Sequence, residues 1–170
     1  ASKDKYELWW VDTYPSPNKN IGNAVFYDKK KFKLSEQNIY YFSPTPEEQS
    51  KGWDEKAHYR ASLATVVTHK KSGKQFFLLA THGPLGDVAC GHAGRLLTEF
   101  DKNYNTKGLP TIVVGDMNAW PGHSKNAFYE NMIKYFEDTY EVTEKKCGTI
   151  GTFNASKEIE KNFTAPPRRI

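Results

Sequence analysis

Short apolar runs alternate with polar segments that contain glycine and proline along most of the chain. Apolar and polar positions that alternate with a period of two are typical of half-buried strands, and short continuous apolar runs are typical of fully buried ones. These patterns predict one strand in each of the ranges 6–11, 23–28, 39–42, 60–69, 75–81 and 109–114, and a short extended segment at 149–153.

Apolar residues recur at helical spacing in two later segments. The pattern predicts a helix at about residues 88–104, and a second helix that begins near Ser124 and turns Phe128, Met132 and Phe136 inward. Strands dominate the first half of the chain, and helices separate the later strands. That order is typical of a layered α/β or α+β domain.

Polar side chains follow two of the predicted strands at the points where these strands end. Asp116 and Asn118 come after the strand at 109–114, and His82 directly follows the strand at 75–81. Residues i and i+2 of an extended segment point the same way, so we expect the carboxylate and the amide to face one small volume. A carboxylate there can accept a proton, and an amide can donate to a developing oxyanion.

Each of these residues also has an ordinary structural interpretation. Aspartate and asparagine after a strand are common turn formers, which hydrogen-bond their own backbone. Taken alone, His82 is more often a structural histidine, and Arg60 could pair with a loop acid such as Asp54. The catalytic interpretation is favoured by the joint pattern and not by any one position.

Length and charge set broad bounds on the protein. With 170 residues, the chain fits a single domain, 1–170, and no apolar run reaches the length of a membrane span. The net charge of +4 is compatible with a phosphate-bearing partner but does not demand one. Lysines within 29–33 and at 70–71 are interpreted as solvated hairpin tips in preference to a nucleic-acid patch. The sequence indicates neither the compartment nor the oligomeric state.

Two cysteines, Cys90 and Cys147, are too few for a disulfide framework. Buried free thiols are the default expectation, although one disulfide is compatible with the count. Cys90 and His92 suggest a corner of a zinc site, but no second close pair completes it. A cysteine–histidine zinc module is therefore the least favoured of the hypotheses.

Taken together, several segments resemble the endonuclease/exonuclease/phosphatase family, the metal-dependent phosphoesterases that include pancreatic deoxyribonuclease and sphingomyelinases. The resemblance implies an α+β fold, namely the central part of a four-layered α/β/β/α sandwich with mixed, mostly antiparallel sheets. The segments that carry the resemblance lie in the same order and spacing as in the family: 22–27, 51–54, Arg60, 77–82, Arg95, 114–119 and 151–154.

The resemblance implies a role for each matched residue. His82 matches a histidine that contacts the scissile phosphate or the leaving oxygen, and Asp116 matches the aspartate that orients the attacking water. Asn118 matches an amide that binds a phosphate oxygen, and Arg60 falls where relatives place a phosphate-contacting arginine. The implied cofactor is Mg²⁺, or Mn²⁺ or Ca²⁺, with Asp116 and Asn118 as secondary ligands and the main ligands outside this chain.

The chain departs from the family pattern at three places. Residues 83–86, Gly-Pro-Leu-Gly, replace the usual Leu-Asp-His after Thr-His, and Met117 replaces a usual phenylalanine. The initial strand with its asparagine and metal-binding glutamate, and the final Ser-Asp-His, have no counterpart here. We therefore expect an incomplete domain of this fold, with exposed sheet edges where neighbouring strands are missing.

These observations predict a metal-dependent phosphoesterase that hydrolyses a phosphate monoester or diester by in-line attack of water. The alternative is a catalytically incomplete fragment, or a non-enzymatic binding domain of the same fold. The substrate is a phosphate ester, and nucleic acid, a phospholipid head group, a sugar phosphate and an inositol phosphate all remain open.

Overall fold

The structure is a computed structural model, and it describes residues 4–13, 22–54, 59–119 and 127–145. The predicted extended segment at 149–153 and the predicted helix start at Ser124 lie outside these residues. The described elements, in chain order, are β1 (Tyr6–Asp12), β2 (Gly22–Asp28), β3 (Phe32–Tyr41), β4 (Ala61–His69), β5 (Gln75–His82), α1 (Asp87–Tyr104), β6 (Thr111–Asp116), α2 (Ala127–Met132) and α3 (Thr139–Val142).

The strands form two sheets. β1 and β2 make an antiparallel pair, and the larger sheet has the order β3-β4-β5-β6. β3, β4 and β5 are antiparallel to one another, whereas β5 and β6 are parallel, because α1 carries the chain back between them. The predicted α+β class with mixed sheets is confirmed.

The larger sheet separates two apolar clusters, and alternate residues of β5 belong to different ones. Phe77 and Leu79 pack against α1 and α2, whereas Leu78 and Ala80 face the β1–β2 pair. Successive side chains of a strand point to opposite faces, so a strand buried on both sides is apolar throughout. The described residues therefore form helix, sheet and sheet layers.

β3 is longer than the sequence pattern predicted. The predicted strand at 39–42 corresponds only to the end of β3, which begins at Phe32. The register with β4 shifts between Ser35 and Asn38, and Glu36 has a positive φ of 54°. This bulge breaks the alternation of apolar and polar positions, and the first half of β3 is partly exposed, so the pattern failed there.

Most of the other predicted elements agree with the structure, but β6 begins two residues later than predicted and, as an edge strand, is largely exposed instead of buried. α1 matches the predicted helix, and Phe128 of α2 is fully buried, with Met132 and Phe136 packed beside it. The hairpin predicted between β4 and β5 is confirmed, since His69 N–H donates to Lys74 O at 2.9 Å. None of the helices in the described part of the chain is long and apolar enough to cross a membrane.

One apolar face and one sheet edge lie open. Leu8 and Phe26 are paired in the register of β1 and β2, and both point away from the larger sheet, with Trp10 beside them. Among the described residues, β6 is the last strand of its sheet, and Ile112 and Val114 on it are exposed.

Candidate active site

Two predicted site residues stand side by side at one edge of the larger sheet. His82 is the last residue of β5, Asp116 is the last residue of β6, and the parallel register pairs them directly. Their nearest atoms, His82 Nε2 and Asp116 Oδ2, are 3.9 Å apart. The side chains are 30% and 47% exposed, so a ligand can reach both from water.

Glycine is required beneath this pair. Gly115 has a φ of +133°, a value that side-chain-bearing residues rarely adopt. A Cβ built there would lie 1.9 Å from the carbonyl oxygen of Thr81. The missing side chain therefore lets β6 approach β5 closely, next to His82 and Asp116.

Asn118 reaches the site through a turn and not through an extended segment. Its φ is 48°, so the argument that residues i and i+2 share one direction does not apply. Instead, Asn118 N–H donates to Asp116 Oδ1 at 2.9 Å, and Asn118 Nδ2 donates to Gly83 O at 2.9 Å. Gly83 N–H donates to Asp116 O at 2.8 Å, which closes the link between the two strand ends.

The turn and site interpretations of Asn118 are therefore compatible. Its backbone forms the Asx-type turn, and its side chain ties residue 83 to the Asp116 loop. An asparagine amide has two N–H donors and a carbonyl oxygen with two lone pairs. Since one N–H of the amide bonds to Gly83, its chemistry also allows the other N–H to donate to a phosphate oxygen and the carbonyl oxygen to bind a cation.

Arg60 is the fourth predicted residue, and it lies against His82. Arg60 is 4% exposed, and its Nη1 is 2.5 Å from His82 Nε2. Because arginine can only donate, Nε2 must accept, so the imidazole in this arrangement is neutral and carries its proton on Nδ1. The arginine brings a positive charge to the site, as an anionic ligand requires.

Asp54 was the loop acid that could pair with Arg60, and in the structure its carboxylate binds the start of α1. Its carboxylate accepts the N–H of Val88 at 3.0 Å and the N–H of Ala89 at 2.9 Å. It therefore caps the first turn of α1 from a distant loop. The cap fixes the start of the helix that follows the loop after His82.

Metal-binding capacity is limited in the described residues. Asp116 and Asn118 offer oxygen donors, which suit Mg²⁺, but across residues 4–13, 22–54, 59–119 and 127–145 no three His, Cys, Asp or Glu side chains form a metal-binding group. Cys90 and His92, which suggested a corner of a zinc site, each make another contact. Cys90 is a buried free thiol that donates to Pro84 O, and the His92 ring stacks on Trp53 at 3.8 Å.

Two residues near the site gave no clear signal in the sequence. Gly83 was noted only as a departure from the family, but a Cβ there would lie 2.4 Å from Met117 O, so the loop admits only glycine in this position. Asn23 was predicted only as part of a strand and of the segment 22–27 that carries the family resemblance, with no role at the site. The available signal was a polar amide on the same strand face as Val25 and Tyr27.

An apolar cavity lies beside the site along the open edge of β6. Its volume is about 460 Å³, and α2 and α3 form its far wall. Val114, Met132, Phe136 and Val142 are among its lining residues. His82, Arg60 and Asn118 do not line it, so the polar site and the apolar cavity are separate features.

Solved structures match the chain, although no protein-family model and no curated protein does. An endonuclease/exonuclease/phosphatase family protein from Bacteroides thetaiotaomicron is 27% identical with a TM-score of 0.67, and the match covers 76% of this chain and 45% of that one. A mannosyl-6-phosphatase from the same organism is 26% identical with a TM-score of 0.66, and covers 76% and 48%.

A more distant match shows the fold alone. The catalytic domain of human Nocturnin, solved with a bound sulfate anion, is 22% identical with a TM-score of 0.56. The match covers 75% of this chain and 47% of that domain. The chain thus spans less than half the length of each of these three structures.

Proposed function

Because the chain has the fold of the endonuclease/exonuclease/phosphatase family, we propose that it takes part in the hydrolysis of a phosphate ester. The observation that carries this proposal is the convergence of a buried arginine, a histidine and a carboxylate at one accessible sheet edge. A cation, an imidazole and an acid side by side suit the binding of a phosphate and the activation of water.

In the proposed reaction, Arg60 and His82 hold phosphate oxygens, and the amide of Asn118 donates to another. Asp116 orients a water molecule and accepts its proton as the water oxygen attacks phosphorus. The bond between phosphorus and the ester oxygen breaks, and the leaving oxygen takes up a proton from solvent. These donors counter the charge that grows on the phosphoryl oxygens in the transition state.

We also propose a divalent cation, Mg²⁺ or alternatively Mn²⁺ or Ca²⁺, as the cofactor of the whole protein. Asp116 and the amide oxygen of Asn118 are the described oxygen donors that would contribute to holding it. Mg²⁺ binds with few protein ligands and retains several waters, so two such donors fit a partial site. When bound, the cation would supply charge compensation for the phosphate.

The mannosyl-6-phosphatase at 26% identity favours a phosphatase of small phosphate esters as the first substrate class to test. Phosphodiester substrates, including nucleic acid and phospholipid head groups, are the second class. The test compares p-nitrophenyl phosphate with bis-p-nitrophenyl phosphate. Preference for the monoester supports a phosphatase, and preference for the diester supports a phosphodiesterase.

Replacement of Asp116 tests the catalytic role directly. In the full-length protein, we expect Asp116→Ala and Asp116→Asn to reduce turnover at least about 100-fold, because a positioned general base contributes on that order. Glu130→Gln is the matched control, since it removes an exposed carboxylate on α2. Turnover of Asp116→Ala at the level of wild type would refute the role.

A further inference from the structure

We propose that Asn23 is a positioning residue for the site: from the neighbouring sheet, its side chain fixes Arg60 relative to His82. The consequence for catalysis rests on the proposed function. The consequence for the contact between Arg60 and His82 does not, because it follows from the geometry of the folded chain alone.

Asn23 makes two hydrogen bonds from a buried position on β2. It is 7% exposed, and its Nδ2 donates to Ala61 O at 2.7 Å and to Ala80 O at 3.3 Å. Both partners are carbonyl oxygens, which can only accept, so the amide nitrogen and not the amide oxygen must face them. The orientation of the side chain is therefore fixed by its partners.

The two carbonyl groups belong to adjacent strands at the end of their ladder. Ser62 pairs with Thr81, so the next step of the antiparallel register sets Ala61 opposite His82. Arg60 directly precedes Ala61, and Ala80 lies on the same face of β5 as His82. Asn23 thus joins β4 to β5 at the point where the arginine and the histidine emerge.

The opposite face of the same ladder end has a polar contact of its own. Ser62 Oγ and Thr81 Oγ1 are 2.9 Å apart, and both residues are buried. Polar contacts on both faces hold the strand end more firmly than the backbone ladder alone does. Removal of the Asn23 contact would let the end of β4 move relative to β5, and displacements near 1 Å in a catalytic site can cost about 100-fold in rate.

A second buried side chain of β4 provides a matched control. Thr65 is fully buried, and its Oγ1 donates to Ser35 O at 2.8 Å, toward the middle of the strand. Thr65→Val and Asn23→Leu both remove buried side-chain donors to backbone carbonyls while keeping similar volume. Both variants therefore lose stability, but only Asn23→Leu acts at the strand end that carries the site.

The experiment uses the full-length protein and two measurements. The substrate is whichever of p-nitrophenyl phosphate and bis-p-nitrophenyl phosphate the wild type hydrolyses faster. With it, we expect Asn23→Leu to lower kcat at least about 10-fold with little change in KM, and Thr65→Val to keep kcat within about twofold. The ring ¹⁵N signals of His82, at one fixed pH, report its contact with Arg60. We expect the same His82 signals in the wild type and in Thr65→Val, and shifted signals in Asn23→Leu.

Each outcome decides the proposal. Wild-type kcat together with unchanged His82 signals in Asn23→Leu overturns it, and so does an equal loss of kcat in both variants with unchanged His82 signals. If no form hydrolyses either ester but only Asn23→Leu shifts the His82 signals, the proposed function fails and the positioning role stands. If Asn23→Leu does not fold, Asn23→Ser is measured in its place, and the same outcomes apply to it.

Discussion

Arg60 and His82 show how one contact can set the chemical state of a residue. The arginine is buried and has only donors, so it forces the histidine nitrogen that it meets to accept. This contact could not come from the sequence, because Arg60 directly precedes β4, His82 ends β5, and the distance between them depends on the register of the two strands.

Tyr104 provides a prediction at the scale of a residue. Its hydroxyl donates to Glu47, and this hydrogen bond, followed by burial, raises the pKa of Tyr104 to about 12 from 10.0. The folded state therefore holds the proton more tightly than the unfolded chain does. The resulting stabilisation is complete below pH 10 and is lost as the pH rises through about 12.

Ultraviolet absorbance of the phenolate during an alkaline titration checks this. We expect Glu47→Gln to move one tyrosine ionisation back toward pH 10, since the hydrogen bond to the carboxylate is the largest cause of the shift. Glu48→Gln, the adjacent exposed residue, is the control and should leave the curve unchanged. Identical curves for wild type and Glu47→Gln would show that the contact is not formed in solution.

α1 connects the site to the helical layer, and two of its glycines have opposite surroundings. A Cβ at Gly91 would meet no atom within 4 Å, whereas a Cβ at Gly94 would lie 2.7 Å from Phe128 O and 2.7 Å from Asn131 Cβ. Gly94 therefore permits the close packing of α2 on α1, and Gly91 only lowers helix propensity.

This difference gives a prediction at the scale of an element. We expect Gly91→Ala to raise the free energy of unfolding by about 0.5–1 kcal/mol, because alanine is the better helix former. We expect Gly94→Ala to lower it by about 1–3 kcal/mol, because the added methyl group overpacks the interface with α2. Equilibrium unfolding in urea measures both, and changes of the same sign would contradict the assigned packing.

The elements also show where sequence patterns succeed and where they fail. β4 and β5 are buried on both faces, and their apolar runs predicted them within one residue at each end. β3 was mostly missed, because a bulge at Glu36 interrupts its period and its first half is partly exposed. The periodicity of apolar residues reflects burial, so it predicts a strand least well where the strand lies at a sheet edge and is partly exposed.

At the scale of the whole molecule, the described layers leave apolar side chains exposed to solvent. Leu8 and Phe26 are exposed by 59% and 64%, although they lie next to each other on one face of the β1–β2 pair. Contiguous apolar surface of this kind marks a region that another part of a protein normally covers. The chain also spans less than half of the three structures to which it was compared.

The share of a compared structure that the chain spans leads to the prediction for the molecule as a whole. The match to the endonuclease/exonuclease/phosphatase family protein covers 76% of this chain but 45% of that one. We therefore expect a polypeptide of these 170 residues to hydrolyse p-nitrophenyl phosphate and bis-p-nitrophenyl phosphate with Mg²⁺ at a negligible rate. Intact-mass measurement confirms the material, and the full-length gene product is the positive control.

Either result of that assay separates the two functions under consideration. Turnover by the 170-residue polypeptide would show that the described residues suffice for catalysis, and would contradict the prediction. Activity of the full-length product alone would support a phosphoesterase whose site needs further residues. Inactivity of both, with the fold intact, would favour a non-enzymatic binding domain.

By itself, the sequence determined a layered α/β or α+β class, the inward faces of the main elements, and the candidates His82, Asp116 and Asn118, whereas the family resemblance added the choice of α+β and the candidate Arg60. Burial makes apolar residues recur at a spacing that is typical of each kind of element, and the polar residues at strand ends can be read from the order of the residues. The tertiary structure decided that β6 lies parallel to β5, that Arg60 meets His82 Nε2, and that Asn23 joins Ala61 to Ala80. These contacts join residues that are distant in sequence. The periodicity of apolar residues shows which face of a strand is buried, but it does not show which strand pairs with it.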